Sequence, residues 1–285
     1  MPFPTVYYAH PTAIFDDLDL DIVSKWEALL KGKLLVQPFG PDVQKTETQH
    51  QLRSLLFAAI IDITDSHDIT VCAPKARPTS KRAPFSFLIY NISNHQAQTL
   101  LKRQVWSLPT ITFSVTTLNP ICPKYMFTIQ GLTTMDKEEV YNSVNEVWHN
   151  QTSLLFLQQI CQTYPDDLHD QVVHRLQRLV SSLELNRLDT KLRGNTIAPA
   201  FNIYADGPLI ENDKTWTRIR NFYTNHVYAL KSQDLGRTVV APYHCTICHL
   251  VDHPQGLCPF PLVENWNGPK RQDTTPRGPG GFGPY

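Results

Sequence analysis

Four residues in the last fifth of the chain combine ligand chemistry with ligand spacing. Cys245, Cys248, His253 and Cys258 read C-x2-C-x4-H-x4-C. A C-x2-C pair on a tight turn presents two thiolates to one ion. The short intervals to the imidazole and the last thiolate let fourteen residues wrap that ion. Zinc favours four S and N ligands in tetrahedral sites, and such closed coordination leaves no position for water or substrate. The spacing predicts one structural Zn2+. His244 and His249 lie in the same stretch and stand as alternative donors to His253.

All four ligands, in type and spacing, resemble the CCHC zinc knuckle of retroviral nucleocapsid and retrotransposon Gag proteins. The resemblance covers fourteen of 285 residues and implies nucleic-acid binding. Knuckles usually carry an aromatic after the first Cys and a Gly before the His. This chain has Thr246 and Asp252 there; Tyr243, Ile247, Leu257, Phe260 and Trp266 either provide an apolar platform for a base instead or pack around the zinc turn. The phrase HLVDH also resembles fragments of metallohydrolase sites, but the two Cys pairings claim His253 more naturally. The phrase DHPQGLCPFP looks like knuckle-tailed proteins of mushroom-forming fungi, apparent derivatives of mobile elements.

The 26 basic and 26 acidic side chains cancel over the whole chain, which excludes a general basic coat for nucleic acid. They do not cancel locally. Residues 1–68 carry a net −5 and residues 136–285 a net −2. Residues 69–135 carry Lys75, Arg77, Lys81, Arg82, Lys102, Arg103 and Lys124 and no Asp or Glu. An acid-free stretch suits a surface that follows phosphates, because each carboxylate would repel them. Apolar strands that crowd out charges of both signs would leave the same pattern. Part of it, PKARPTSKRAP (74–84), is a Pro-rich basic link, with an import signal as one reading of it.

The elements that must position these residues follow from periodicity. Helices are expected over 16–33, 46–61, 94–106, 136–150, 153–162, 168–185 and 216–230, and strands over 68–73, 85–92, 111–115, 124–131 and 200–205. The order β-α-β-β-α over 85–150 opens a ferredoxin-like fold. It invites comparison with the RNA-recognition motif: FLIYNI resembles that family's first strand through Asn91 and Ile92, and KYMFTIQG its third through Lys124, Tyr125 and Phe127. That likeness implies base stacking on Tyr125 and Phe127. The expected class is therefore α+β: an N-terminal helical/αβ region (1–73), an RRM-like domain with added helices (85–235), a knuckle (243–261) and a disordered Pro/Gly-rich tail (267–285).

No phosphate-binding glycine loop, G-x-S-x-G or H-E-x-x-H is present. Cys72, Cys122 and Cys161 lack catalytic context, and Asp166 with Asp167 reads as a helix start. The first thirty residues lack a basic start and an apolar run, so an intracellular protein, cytoplasmic or nuclear and not secreted, is expected. The function expected is a non-enzymatic, zinc-dependent binder of single-stranded RNA or DNA of the Gag or first-reading-frame type. It would use the basic residues above with Tyr243, Ile247 and Leu257. No membrane or small-molecule substrate is expected, and a homo-oligomer is compatible. The competing expectation is a zinc-shaped protein-docking module. Replacing Cys248 with Ser should abolish stoichiometric zinc, read by elemental analysis of the purified protein.

Overall fold

A computed structural model describes residues 3–40, 46–119, 122–191, 196–206 and 213–271. Helix α1 (Leu20–Glu27) is capped by Asp19, whose side chain accepts from the Asp21 amide. It stops well before residue 33. Lys33 Nζ donates to the carbonyls of Trp26, Glu27 and Leu29, holding the helix C-terminus with a cation. From Gly32 the chain becomes strand β1 (Gly32–Pro38). The apolar spacing of Leu29, Leu30 and Leu34 reads as a helix, yet Leu34, Leu35 and Val36 are buried on both faces of a sheet.

The remaining elements of the first half are α2 (Thr46–Thr64), β2 (Thr70–Cys72), β3 (Phe87–Ile92), α3 (Asn94–Arg103), β4 (Val105–Ser107) and β5 (Thr112–Thr116). Ser93 and Gln96 form a full capping box at the start of α3. That helix ends three residues earlier than expected, because Gln104 takes a left-handed φ of 58° and turns the chain into β4. The second half runs β6 (Tyr125–Gln130), α4 (Lys137–His149), α5 (Gln151–Cys161), α6 (Asp166–Ser181), β7 (Glu184–Lys191), β8 (Ile197–Tyr204), α7 (Asp213–Thr224), β9 (Tyr228–Ala229) and β10 (Leu235–Val239).

These strands form two antiparallel five-stranded sheets, ordered β2-β3-β1-β5-β4 and β7-β8-β6-β10-β9. The second order is the first with every strand advanced by five. In each half the first strand is central, the third and fifth flank it, and helices follow the first and third. The chain is thus two copies of one connectivity, over residues 32–116 and 125–239.

This corrects the expected single core over 85–150. Strands β3 and β5 belong to the first sheet and β6 to the second, so the division falls near residue 120 and not at the basic link. The link joins β2 to β3 inside one sheet. Reading β1 as the tail of a helix moved the β-α-β-β-α pattern out of phase. Similarly, residues 225–230 are not the end of a helix: Tyr228 and Ala229 form the edge strand β9.

Each sheet has one face on helices. Val36, Phe87, Ile89 and Phe113 pack with Leu56, Ile60 and Leu100, and Phe127, Phe201 and Ile203 pack with Trp148, Leu179 and Trp216. The other faces are covered too. Leu35 and Leu88 lie beneath Ile14, Leu18 and Trp26 of the N-terminal segment. On the second sheet Tyr204 meets Tyr7, with ring centroids 4.7 Å apart. Among the described residues no helix is long and apolar enough to cross a membrane.

On α2, Leu56 is fully buried whereas its neighbour Leu55 is 38% exposed. Leu56→Ala should cost about 2–5 kcal/mol of unfolding free energy, and Leu55→Ala about 0.5 kcal/mol or less, measured by denaturant titration.

Candidate metal centre

The loop after β10 folds back on itself before it meets either sheet. The Cys245 amide donates to the Leu250 carbonyl and the His249 amide to the Cys245 carbonyl, closing a tight turn across the C-x2-C pair. His249 sits at its end with φ 63°. A short 3-10 turn, Gln255–Leu257, then delivers Cys258.

Cys245, Cys248, His253 and Cys258 are all buried, and their donor atoms lie within 4.8 Å of one another. The spacing fits one ion. Cys248 Sγ and Cys258 Sγ are 3.8 Å apart, and His253 Nε2 is 3.3 Å from Cys248 Sγ. Tetrahedral bonds of about 2.3 Å to sulfur place two sulfurs about 3.8 Å apart. A disulfide would need about 2.05 Å, and all six cysteines are free thiols. Hydrogen bonds from Cys248 and Cys258 hold the Cys245 thiol well below its ordinary range, whereas burial, then Cys245 and Cys258, hold Cys248 above it.

His253 is oriented by the residue before it. Its Nδ1 lies 2.7 Å from Asp252 Oδ1, which leaves Nε2 facing the sulfurs. A carboxylate on the far nitrogen fixes the ring and raises the basicity of the coordinating one. Burial opposes the charged imidazole, but hydrogen bonds with Asp252, Cys245 and Cys258 outweigh it and push its pKa up to about 11. An ion at Nε2 must therefore displace a proton.

Asp252 is itself held by the second sheet. Tyr204 donates its hydroxyl to Asp252 Oδ2 at 3.0 Å, and Asn202 Nδ2 donates to the Asp252 carbonyl at 2.5 Å. Thr128 donates to Asn202 Oδ1 at 2.7 Å, and the Tyr125 hydroxyl lies 2.8 Å from Thr128 Oγ1. Burial, with the Asp252 charge second, raises the Tyr204 phenol far above its ordinary value, so it stays a donor. The chain Tyr125–Thr128–Asn202–Tyr204–Asp252–His253 runs from the middle of a sheet to the metal donors.

The opposite side of the loop belongs to the first sheet. Gly40, just past β1, donates its amide to the Ile247 carbonyl at 2.8 Å. Its φ of 107° suits glycine, and a Cβ there would come within 2.9 Å of Pro269. Phe39 meets Phe260 edge to face at 5.0 Å, and Trp266 packs on both. Cys245, Cys248 and Cys258 share one small apolar core with Phe39, Val105 and Ile247. Arg271 clamps the Cys258 carbonyl with Nε and Nη2, and Asn267 bonds to Ser107. The segment expected to be disordered from 267 is thus packed through Arg271; residues 272–285 lie outside the described residues.

The structure separates the expected nucleic-acid contacts. Tyr125 and Phe127 are fully buried and Ile247 nearly so, so none presents a face to a base. Phe127 faces the helices, while Tyr125 serves the hydrogen-bond chain. Tyr243 and Leu257 are half-buried, with the Tyr243 hydroxyl accepting from Gln130. Lys75 and Lys124 pair with Asp19 and Asp206, each at 2.7 Å, and Arg77 Nε reaches the Leu18 carbonyl. Lys81, Arg82, Lys102 and Arg103 are exposed and make no ion pair among the described residues, although Arg103 lies over the Trp106 ring. His249, an alternative ligand by sequence, stacks on Phe85 at 3.7 Å, and burial lowers its pKa to about 4. It stands outside the four-donor cluster.

Comparison with known proteins adds no relative: no family model matches the chain, and no curated protein matches it.

Asp252→Asn should weaken metal affinity about 10–100-fold, measured by chelator competition. Tyr204→Phe should act in the same direction by less, because Asp252 would keep its bond to His253.

Proposed function

We propose that the bound ion is zinc with a structural role, and that the protein is a non-enzymatic binder of single-stranded nucleic acid, akin to Gag-type knuckle proteins. The donor set supports zinc: three cysteine sulfurs and one imidazole gathered in one buried cluster suit it better than oxygen-seeking ions. The observation that carries the nucleic-acid reading is the acid-free basic segment, whose Lys81, Arg82, Lys102 and Arg103 remain exposed and unpaired with carboxylates among the described residues. Exposed cations with no internal partner are free to exchange counterions for phosphates.

The connectivity supports the same reading in a modified form. Each half follows β-α-β-β-α-β with the last strand doubled into a hairpin, a ferredoxin-like order. RNA-recognition motifs use that order with an open aromatic sheet face. Here both such faces are covered from within, so binding relies on phosphate contacts at loops and helix ends, with modest sequence preference. Zinc acts indirectly, by holding the two halves in one arrangement.

A second reading, a zinc-stabilised protein-docking module, is favoured by a different place. An apolar groove of about 550 Å³ runs between α5 and α6, lined by Leu154, Leu157, Val173 and Leu176. Leu154 and Leu155 are each half exposed.

Fluorescence anisotropy with a labelled single-stranded oligonucleotide separates the two. The nucleic-acid reading expects affinity that falls linearly with salt on logarithmic axes, at about 0.7 per phosphate neutralised. Lys102→Glu with Arg103→Glu should reduce that slope. Absence of binding at low salt with zinc loaded would reject the reading.

A further inference from the structure

A cleft of about 550 Å³ opens between the two halves, away from the metal donors. Its size is that of ordinary ligand sites. The second half contributes Lys124, Arg175, Arg178 and Asp206, the first half Gln104, and the N-terminal segment Tyr7.

The charges in this cleft are arranged around one anchor. Asp206 is mostly buried, and its amide donates to Ser182 Oγ at 2.7 Å, which fixes the residue. Its two carboxylate oxygens take Lys124 Nζ at 2.7 Å and Arg178 Nε at 2.8 Å. Lys124, through its hydrogen bond, holds the Asp206 carboxyl below the ordinary range, so the carboxylate stays charged. The anchor uses one edge of each cation. The Arg178 terminal nitrogens keep their donors, and the half-buried Arg175 makes no hydrogen bond or ion pair among the described residues. Three cations against one carboxylate leave a formal excess of +2 within one cleft. Unused guanidinium donors in a concave site call for a compact ligand rich in acceptors, and two arginine forks match phosphate oxygens in geometry.

Two further features narrow the class. Tyr7, whose ring leans on Tyr204, places an aromatic surface beside these cations. Gln104 lines the rim directly after the exposed pair Lys102 and Arg103, so the positive surface continues outward along the chain. Phosphate beside an aromatic ring is the chemistry of a nucleotide, and a basic path leading away suits a strand.

We propose that this inter-sheet cleft seats a phosphate of a single-stranded nucleic acid between Arg175 and Arg178, with Tyr7 against the adjoining sugar or base. The proposal rests on the nucleic-acid reading above and moves its centre from the knuckle and the sheet faces to a site between the halves. The shared chemistry is an organic phosphate, and a free nucleotide is the other source of it.

The zinc-loaded full chain, titrated with a labelled oligothymidylate and separately with thymidine monophosphate followed by NMR shifts, tests it. Arg175→Gln, which breaks no internal bond, should weaken oligonucleotide binding several-fold, and Arg175→Glu with Arg178→Glu about tenfold or more. Lys25→Glu with Lys31→Glu, an equal charge change outside the cleft, should stay within about twofold apart from the general salt-sensitive background. Oligonucleotide binding that is indifferent to both cleft variants overturns the cleft and leaves the nucleic-acid reading standing. Monophosphate shifts that are lost in Arg175→Gln, without any oligonucleotide binding, support the cleft as a nucleotide site and reject the strand. Binding of neither probe overturns the cleft outright.

Discussion

The hydrogen bond between Asp252 and His253 is the point on which the two halves of this protein turn. It joins the metal donors to β8 of the second sheet through Tyr204 and Asn202. The other side of the same loop is held by Gly40, Phe39 and Val105 of the first half. A small apolar cluster and a few hydrogen bonds are thin support for a junction between two five-stranded sheets. An ion bound by four buried donors adds binding free energy that is also folding free energy. An ion held there would act as a cross-brace, and Asp252 orients the imidazole that would ligate it.

The same arrangement accounts for the covered sheet faces. An antiparallel sheet backed by helices on one side is free to leave the other to solvent. Here the first sheet carries Leu35 and Leu88 outward and buries them beneath the N-terminal segment. The second carries Tyr125, Thr128, Asn202 and Tyr204 outward and satisfies them with one another and with Asp252. Buried polar groups are costly unless paired, and this row is paired along its length. A surface that would suit base stacking in an isolated sheet becomes an internal joint.

The four metal donors were legible in the sequence because their geometry is local: a turn and two short intervals bring them together whatever the rest of the chain does. Asp252 carried no such signal. Against the knuckle pattern it reads only as a departure, and its role depends on Tyr204 and Asn202, which lie far away in the chain. Most helices were legible from their apolar periodicity and caps, although periodicity alone does not tell that Leu55 of α2 is partly exposed beside the buried Leu56. Strand β1 was not, because a strand buried on both faces shows no alternation and its leucines continue the spacing of α1. That one misreading displaced the repeat. Burial of Tyr125 and Phe127 was equally hidden, since alternation says which residues share a face but not what covers it.

The metal loop draws on parts made at very different times along the chain: Phe39 near the start, Val105 and Tyr204 between, and its own thiols near residue 250. Contacts this distant close large loops, whose entropy must be met before the contacts reward it. The donors can reach one another through local turns, but their dry, oriented surroundings exist only after both sheets have formed. Tight metal capture would therefore read out completed assembly, because a chain with misjoined halves would lack the surroundings that orient the donors.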